Sequence, residues 1–136
     1  MIQVLSPTQV EAARPAGRFV GRTLATLRER VRPGTNLLDI DAWARELIAR
    51  EGAVSCYVDY APSFGRGPFG RVICTSVNDA VLHGLPYDHV VRDGDLLTLD
   101  FAVSVDGWVA DAAVSFVVGE RMDPVDQELI DLTRRA

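Results

Sequence analysis

Two aspartates carry the clearest chemical signal in the sequence. Asp100 interrupts the apolar run Leu96-Leu97-Thr98-Leu99-Asp100-Phe101-Ala102-Val103, and Asp111 interrupts Val109-Ala110-Asp111-Ala112-Ala113. Both runs have the composition of β-strands, where aspartate is among the least favoured residues. A carboxylate sunk in such a strand is costly unless something compensates its charge. No cation is at hand locally: the chain has no Lys, and no Arg falls between Arg92 and Arg121. Asp106-Gly107, between the runs, is a strong hairpin signal. A two-residue loop there pairs Val105 with Trp108, Ala102 with Asp111 and Asp100 with Ala113. The two aspartates then become diagonal neighbours on one face, roughly 7 to 8 Å apart. Carboxylates so placed suit a shared divalent cation that takes oxygen ligands. The plain alternative is one surface aspartate and one paired with an arginine that the fold brings in. A one-residue bulge would also separate the pair.

His83 is the second candidate. It lies in Ser76-Val77-Asn78-Asp79-Ala80-Val81-Leu82-His83-Gly84-Leu85-Pro86, a loop that precedes the carboxylate-bearing hairpin. An imidazole there can serve as a proton or hydrogen-bond donor in a site. The plain alternative is an exposed loop histidine. His89 has no supporting context.

The elements that must position these groups can be read from periodicity and punctuation. Ser6-Pro7-Thr8-Gln9 is a capping-box start with proline at the first helical position. Val10, Ala13, Gly17, Val20, Leu24, Leu27 and Val31 then recur at helical spacing, and Arg32-Pro33-Gly34 closes the helix. Pro15 predicts either a kink or a late start. A second helix is predicted over residues 37–50, with Asn36 as cap and Gly52 as stop. Residues 53–60 read as a strand, 61–70 as a Gly/Pro-rich loop, 71–76 as a short strand and 77–95 as mostly loop. The hairpin occupies 96–105 and 108–118. Asp123-Pro124 opens a last helix, whose apolar face of Val125, Leu129, Ile130 and Leu132 runs to Ala136 without a terminator, as if cut mid-helix. This is an α+β pattern in one domain.

Composition narrows the function classes. All 14 basic residues are Arg. Residues 1–72 hold ten Arg against seven acids, whereas residues 73–136 hold four Arg against twelve acids. An acidic half does not suit nucleic acid, whose phosphates need a basic surface. It suits a metal ion or a cationic substrate group. No apolar run approaches the length of a membrane span, and residues 1–9 lack the pattern of a secretory signal. The expected location is cytoplasmic. Cys56 and Cys74 lack metal-type spacing and read as small hydrophobes.

Taken together, the motifs resemble those of the type I methionine aminopeptidases. Ser6-Pro7-x-x-Val10-Glu11-x-x-Arg14-x-Ala16-Gly17-Arg18 is similar to that family's first helix, and Arg32-Pro33-Gly34-Thr35 to its first connection. The block from Thr75 to Pro86 resembles the loop of its catalytic histidine. Asp93-Gly94-Asp95-Leu96-Leu97-Thr98-Leu99-Asp100 and Asp106-Gly107-Trp108-Val109-Ala110-Asp111-Ala112-Ala113-Val114-Ser115-Phe116 resemble its two aspartate strands. The resemblance implies the pita-bread fold, with residues 1–136 forming the N-terminal half of a catalytic domain. It implies two divalent ions, of the cobalt, manganese, iron or zinc class, in the complete enzyme. Asp100 would be a bidentate ligand and Asp111 a bridging one. His83 would hydrogen-bond the substrate near the scissile amide and help stabilise the transition state. Cys56, and with it Tyr60, would line the methionine side-chain pocket. The loop at 61–70 is longer than the family's shortest forms.

The same resemblance implies what is absent. The family completes its site from a C-terminal half, with a ligand histidine in a Gly-His-Gly loop and two ligand glutamates, one carboxylate acting as base. These 136 residues contain two of the five ligands, so the expected partners are nascent chains beginning with Met and the missing C-terminal half. The 136 residues alone are expected to be inactive. A non-catalytic pita-bread binding module, or a truncated relic, is the competing reading. A proline-specific peptidase of the same fold is a third, which the Asn78 to Pro86 block argues against.

Overall fold

The computed structural model describes residues 4–61, 63, 65 and 67–136; Pro62, Phe64 and Arg66, within the anticipated Gly/Pro-rich loop, and Met1, Ile2 and Gln3 at the N-terminus lie outside the described residues. Helix α1 spans Pro7–Arg30. The Ser6 hydroxyl accepts from the Gln9 N–H while the Gln9 side chain accepts from the Ser6 N–H, the reciprocal cap expected there. Pro15 lies inside this helix, which neither starts late nor breaks. Helix α2 spans Leu37–Glu51, capped by the Asn36 side chain and stopped by Gly52 in the left-handed region. The connection between the helices is pinned by backbone bonds from Gly34 to Val91, Val91 to Thr35 and Leu37 to His89.

Four antiparallel strands follow: β1 (Val54–Ser55), β2 (Cys74–Val77), β3 (Leu96–Val105) and β4 (Trp108–Val117). Strand β3 is the axis of the sheet. Its one side pairs with β1 near Val103 and with β2 near Leu99, and its other side pairs with β4 along the whole hairpin. Helix α1 packs on the face of this sheet that carries Leu97, Leu99, Phe101 and Val103, and α2 adds Leu37, Ile40, Ala44 and Ile48 to the same core. Phe19 meets Phe101 edge to face at 6.1 Å. Helix α3 (Pro124–Arg135) starts at Asp123, whose carboxylate accepts from the Val125 N–H, and inserts Ile130 against β4.

One expected element is shorter than its composition suggests. The strand anticipated over 53–60 ends at Ser55. The Cys56 N–H still reaches Ala102 across the sheet, but the Ser55 hydroxyl captures the Tyr57 N–H at 3.1 Å, and the Tyr60 N–H turns back to the Tyr57 carbonyl. A side chain competing for a backbone donor thus replaces ladder with turn. Likewise the second short strand begins at Cys74, three residues later than the anticipated Arg71.

Candidate metal centre

The hairpin places the carboxylate pair. Asp106 and Gly107 both have positive φ, 50° and 81°, which suits a tight two-residue turn. The ladder then runs Val105 to Trp108, Ala102 to Asp111 and Asp100 to Ala113, with no bulge. Asp100 and Asp111 therefore lie diagonally on the sheet face opposite α1, as the spacing predicts. Within the hairpin their cross-strand partners are Ala113 and Ala102, which place only methyl groups opposite them. Asp100 is half-buried and Asp111 is exposed on its outer side.

The two carboxylates lie within reach of one hydroxyl. Loss of hydration, and then the neighbouring Asp100 charge, hold the Asp111 carboxyl above its ordinary value; the Tyr57 hydroxyl and His83 pull it back. No Arg forms an ion pair with either aspartate among the described residues. The arginine alternative finds no partner among the described residues. Instead the Tyr57 hydroxyl donates to Asp100 Oδ1 at 2.8 Å and lies 3.5 Å from Asp111 Oδ1. Burial, and then the hydrogen bond to Asp100, push the Tyr57 phenol well up from its ordinary range, so it is held protonated as a donor. Cys74 faces Asp100 across the β2–β3 register, and burial followed by that carboxylate's charge pushes its thiol up to about 12.

The histidine loop is clamped to β2 by its glycine. The Gly84 N–H donates to Ser76 Oγ at 3.1 Å, and its carbonyl accepts from the Thr75 N–H at 2.7 Å. A Cβ at Gly84 would collide with the Thr75 backbone carbonyl and the Ser76 Cα. Only glycine permits this approach. It fixes His83, itself in the left-handed region at φ 55°, near enough to act on the Asp111 charge. The loop's start is fixed by Asn78, also left-handed, whose side chain accepts from the Leu96 N–H at 2.9 Å and donates to Asp95 at 3.0 Å.

The remaining sequence candidates are placed as follows. Cys56 is half-buried beside the pair, with its thiol raised by burial and then by the Asp111 charge. Tyr60 is exposed at the end of the turn, and its carbonyl accepts from the Phe69 N–H at 2.9 Å. Neither cysteine is disulfide-bonded. Sequence reasoning passed over Tyr57, because it lies in what reads as a continuous strand. The available signal was an aromatic with a polar tip directly after Ser55-Cys56.

The donor set fits a divalent cation in part. Two carboxylates with no ion-pair partner among the described residues offer hard oxygen ligands on an open face. Among the described residues no group of three or more His, Cys, Asp or Glu side chains could hold a metal ion. A third ligand is therefore not contributed by these residues.

Comparison with known proteins places this geometry. The model of the metallopeptidase family M24 matches residues 11–136. The methionine aminopeptidase of Helicobacter pylori is 35% identical over 136 residues, covering 99% of this chain and 51% of that protein. That of Clostridium acetobutylicum is 36% identical over 138 residues, covering 100% of this chain and 52% of that protein. The crystal structure of methionine aminopeptidase from Rickettsia prowazekii superposes with a TM-score of 0.89 at 27% identity, covering 99% of this chain and 52% of that one. The corresponding enzyme from Thermotoga maritima gives 0.84 at 29% identity, again covering 99% and 52%. The chain thus spans about half the length of the curated relatives it matches. Its half-sheet with flanking helices has the pita-bread architecture of those structures. By family match and by fold, the chain belongs to the metallopeptidase family M24, whose members use divalent metal.

Proposed function

We propose that residues 1–136 are the N-terminal half of the catalytic domain of a methionine aminopeptidase, which removes the first methionine from nascent chains in the cytoplasm. The observation that carries this reading is the diagonal pair Asp100 and Asp111, with no arginine paired to either among the described residues and one phenol hydroxyl within reach of both. Asp100 and Asp111 would hold two divalent ions of the cobalt, manganese, iron or zinc class, together with ligands from a C-terminal half. Bound metal would supply a nucleophile from water at neutral pH and polarise the scissile carbonyl. His83 would donate a hydrogen bond near the scissile amide from its glycine-clamped loop. Cys56 lies on the same side of the sheet and would line the methionine pocket with Tyr60. The acidic second half of the sequence would attract both the metal and the cationic amino terminus of a peptide.

On this reading the 136 residues alone are inactive, since two ligands hold a cation weakly. A chelator-sensitive release of methionine from a Met-Ala-Ser peptide by the purified chain would refute that statement. Calorimetric titration with Mn²⁺ tests the site itself. Weak binding that vanishes in Asp100→Asn and Asp111→Asn supports it. No binding at millimolar Mn²⁺ would favour the alternative of a non-catalytic binding module.

A further inference from the structure

We propose that Tyr57 is a positioning residue for the metal-binding carboxylates, its hydroxyl orienting Asp100 from outside the ligand sphere and keeping Asp111 beside it. The inference rests on the metal reading of Asp100 and Asp111. It goes beyond that reading by assigning a residue that the sequence motifs do not mark.

Three observations converge on Tyr57. Its backbone is fixed on both sides of the turn, by the Ser55 hydroxyl at its N–H and by the Tyr60 N–H at its carbonyl. Its ring packs edge to face on Phe69, with centroids 5.9 Å apart and planes at 72°. Its hydroxyl then ends 2.8 Å from Asp100 Oδ1 and 3.5 Å from Asp111 Oδ1. The single phenolic proton can serve one carboxylate at a time, and the shorter distance assigns it to Asp100.

Packing alone would be met by phenylalanine. The hydroxyl adds a donor between two like charges that otherwise repel. It does not block a cation. An ionised carboxylate offers about four lone-pair sites, of which this bond uses one. Carboxylates that ligate metals are themselves held by such outer hydrogen bonds, and losing one typically costs about 10- to 100-fold in metal affinity.

Tyr57→Phe removes the hydroxyl and keeps the ring on Phe69. Free Mn²⁺ is measured by electron paramagnetic resonance for the wild type, Tyr57→Phe, Asp100→Asn and Asp111→Asn, with thermal unfolding recorded for each. The expected result is about 10- to 100-fold weaker Mn²⁺ binding in Tyr57→Phe with its unfolding unchanged. A second readout uses ¹³C-labelled tyrosine and diamagnetic Zn²⁺. The resonance lost in Tyr57→Phe should shift as Zn²⁺ saturates the site, while those of Tyr60 and Tyr87 stay in place. Equal or tighter Mn²⁺ binding by Tyr57→Phe, with both aspartate variants impaired, overturns this inference alone. Binding that is absent in the wild type, or undiminished in the aspartate variants, overturns the metal reading and this inference with it.

Discussion

At the scale of single residues, the candidate centre depends on groups that never touch it. Asp93 is the clearest case. Its carboxylate accepts from the Glu120 N–H at 2.7 Å and the Arg121 N–H at 3.1 Å, closing the open end of the hairpin. Gly119 makes that approach possible: it has φ 80°, and a Cβ there would collide with the Asp93 carboxylate and the Pro33 ring. The bonds to Arg121 and then Glu120 hold the Asp93 carboxyl below its ordinary value of 3.8. A group whose pKa is lowered by folding stabilises the fold while ionised. Its contribution is complete above 3.8 and disappears as pH falls through the lowered folded value. The wild type should therefore be more stable than Asp93→Asn at neutral pH, and the gap should close on acidification. Urea unfolding of both proteins across the acid range measures this. A gap that is absent at neutral pH, or constant through the titration, would contradict the assignment.

At the scale of elements, position is transmitted from helix to strand through Asp41. This carboxylate is 2% exposed, yet it lies on α2 far from the candidate centre in sequence. It accepts from the Val72 N–H at 2.8 Å and from Arg45 Nε at 2.9 Å, with Arg71 at 3.6 Å, while Arg45 also donates to the Gly70 carbonyl at 2.8 Å. The loop that leads into β2 is thereby anchored, and β2 sets Cys74 against Asp100. Asp41→Ala would leave the buried Val72 donor unmet and should cost about 2–3 kcal/mol. Asp41→Asn, which can keep the bond to Val72, should cost clearly less. Equal denaturation midpoints for the wild type and Asp41→Ala would remove this anchor from the account. Only the i,i+4 pair with Arg45 was legible in the sequence; the anchor itself was not, because Val72 and Arg71 lie about thirty positions from Asp41 and no local spacing encodes them. The hairpin register, by contrast, was legible residue by residue. A tight Asp-Gly turn fixes the pairing, and alternation then decides which side chains share a face. Tyr57 fell between these cases. Its neighbours alternate as a strand would, and the hydroxyl of Ser55 turned the chain after two residues instead of eight.

At the scale of the whole molecule, the same half-sheet that displays the aspartates leaves apolar surface and backbone uncovered. Among the described residues, β4 pairs only with β3, so its other edge presents unpaired donors and acceptors along Trp108–Val117. That strand has no Pro, Lys or Arg, the residues that blunt edges, and its one charge is Asp111. Beside it, α3 exposes Val125 at 71%, Leu129 at 55% and Leu132 at 52%. Such contiguous apolar surface marks an interface. No described helix is long and apolar enough to cross a membrane, which removes a spanning role for α3. In the relatives, which are about twice as long, further chain is available to cover these surfaces. The 136 residues on their own should therefore self-associate reversibly across micromolar to millimolar concentrations. Edge pairing and helix burial are separable causes. Val109→Lys charges an exposed position of β4 without touching α3, and Leu129→Glu does the reverse. Sedimentation velocity should show both variants shifted toward monomer, with Val109→Lys the stronger if strand pairing dominates. A shift in Leu129→Glu alone would assign the association to the helix face. A wild type that stays monomeric throughout would mean that neither surface is sticky enough to require a partner.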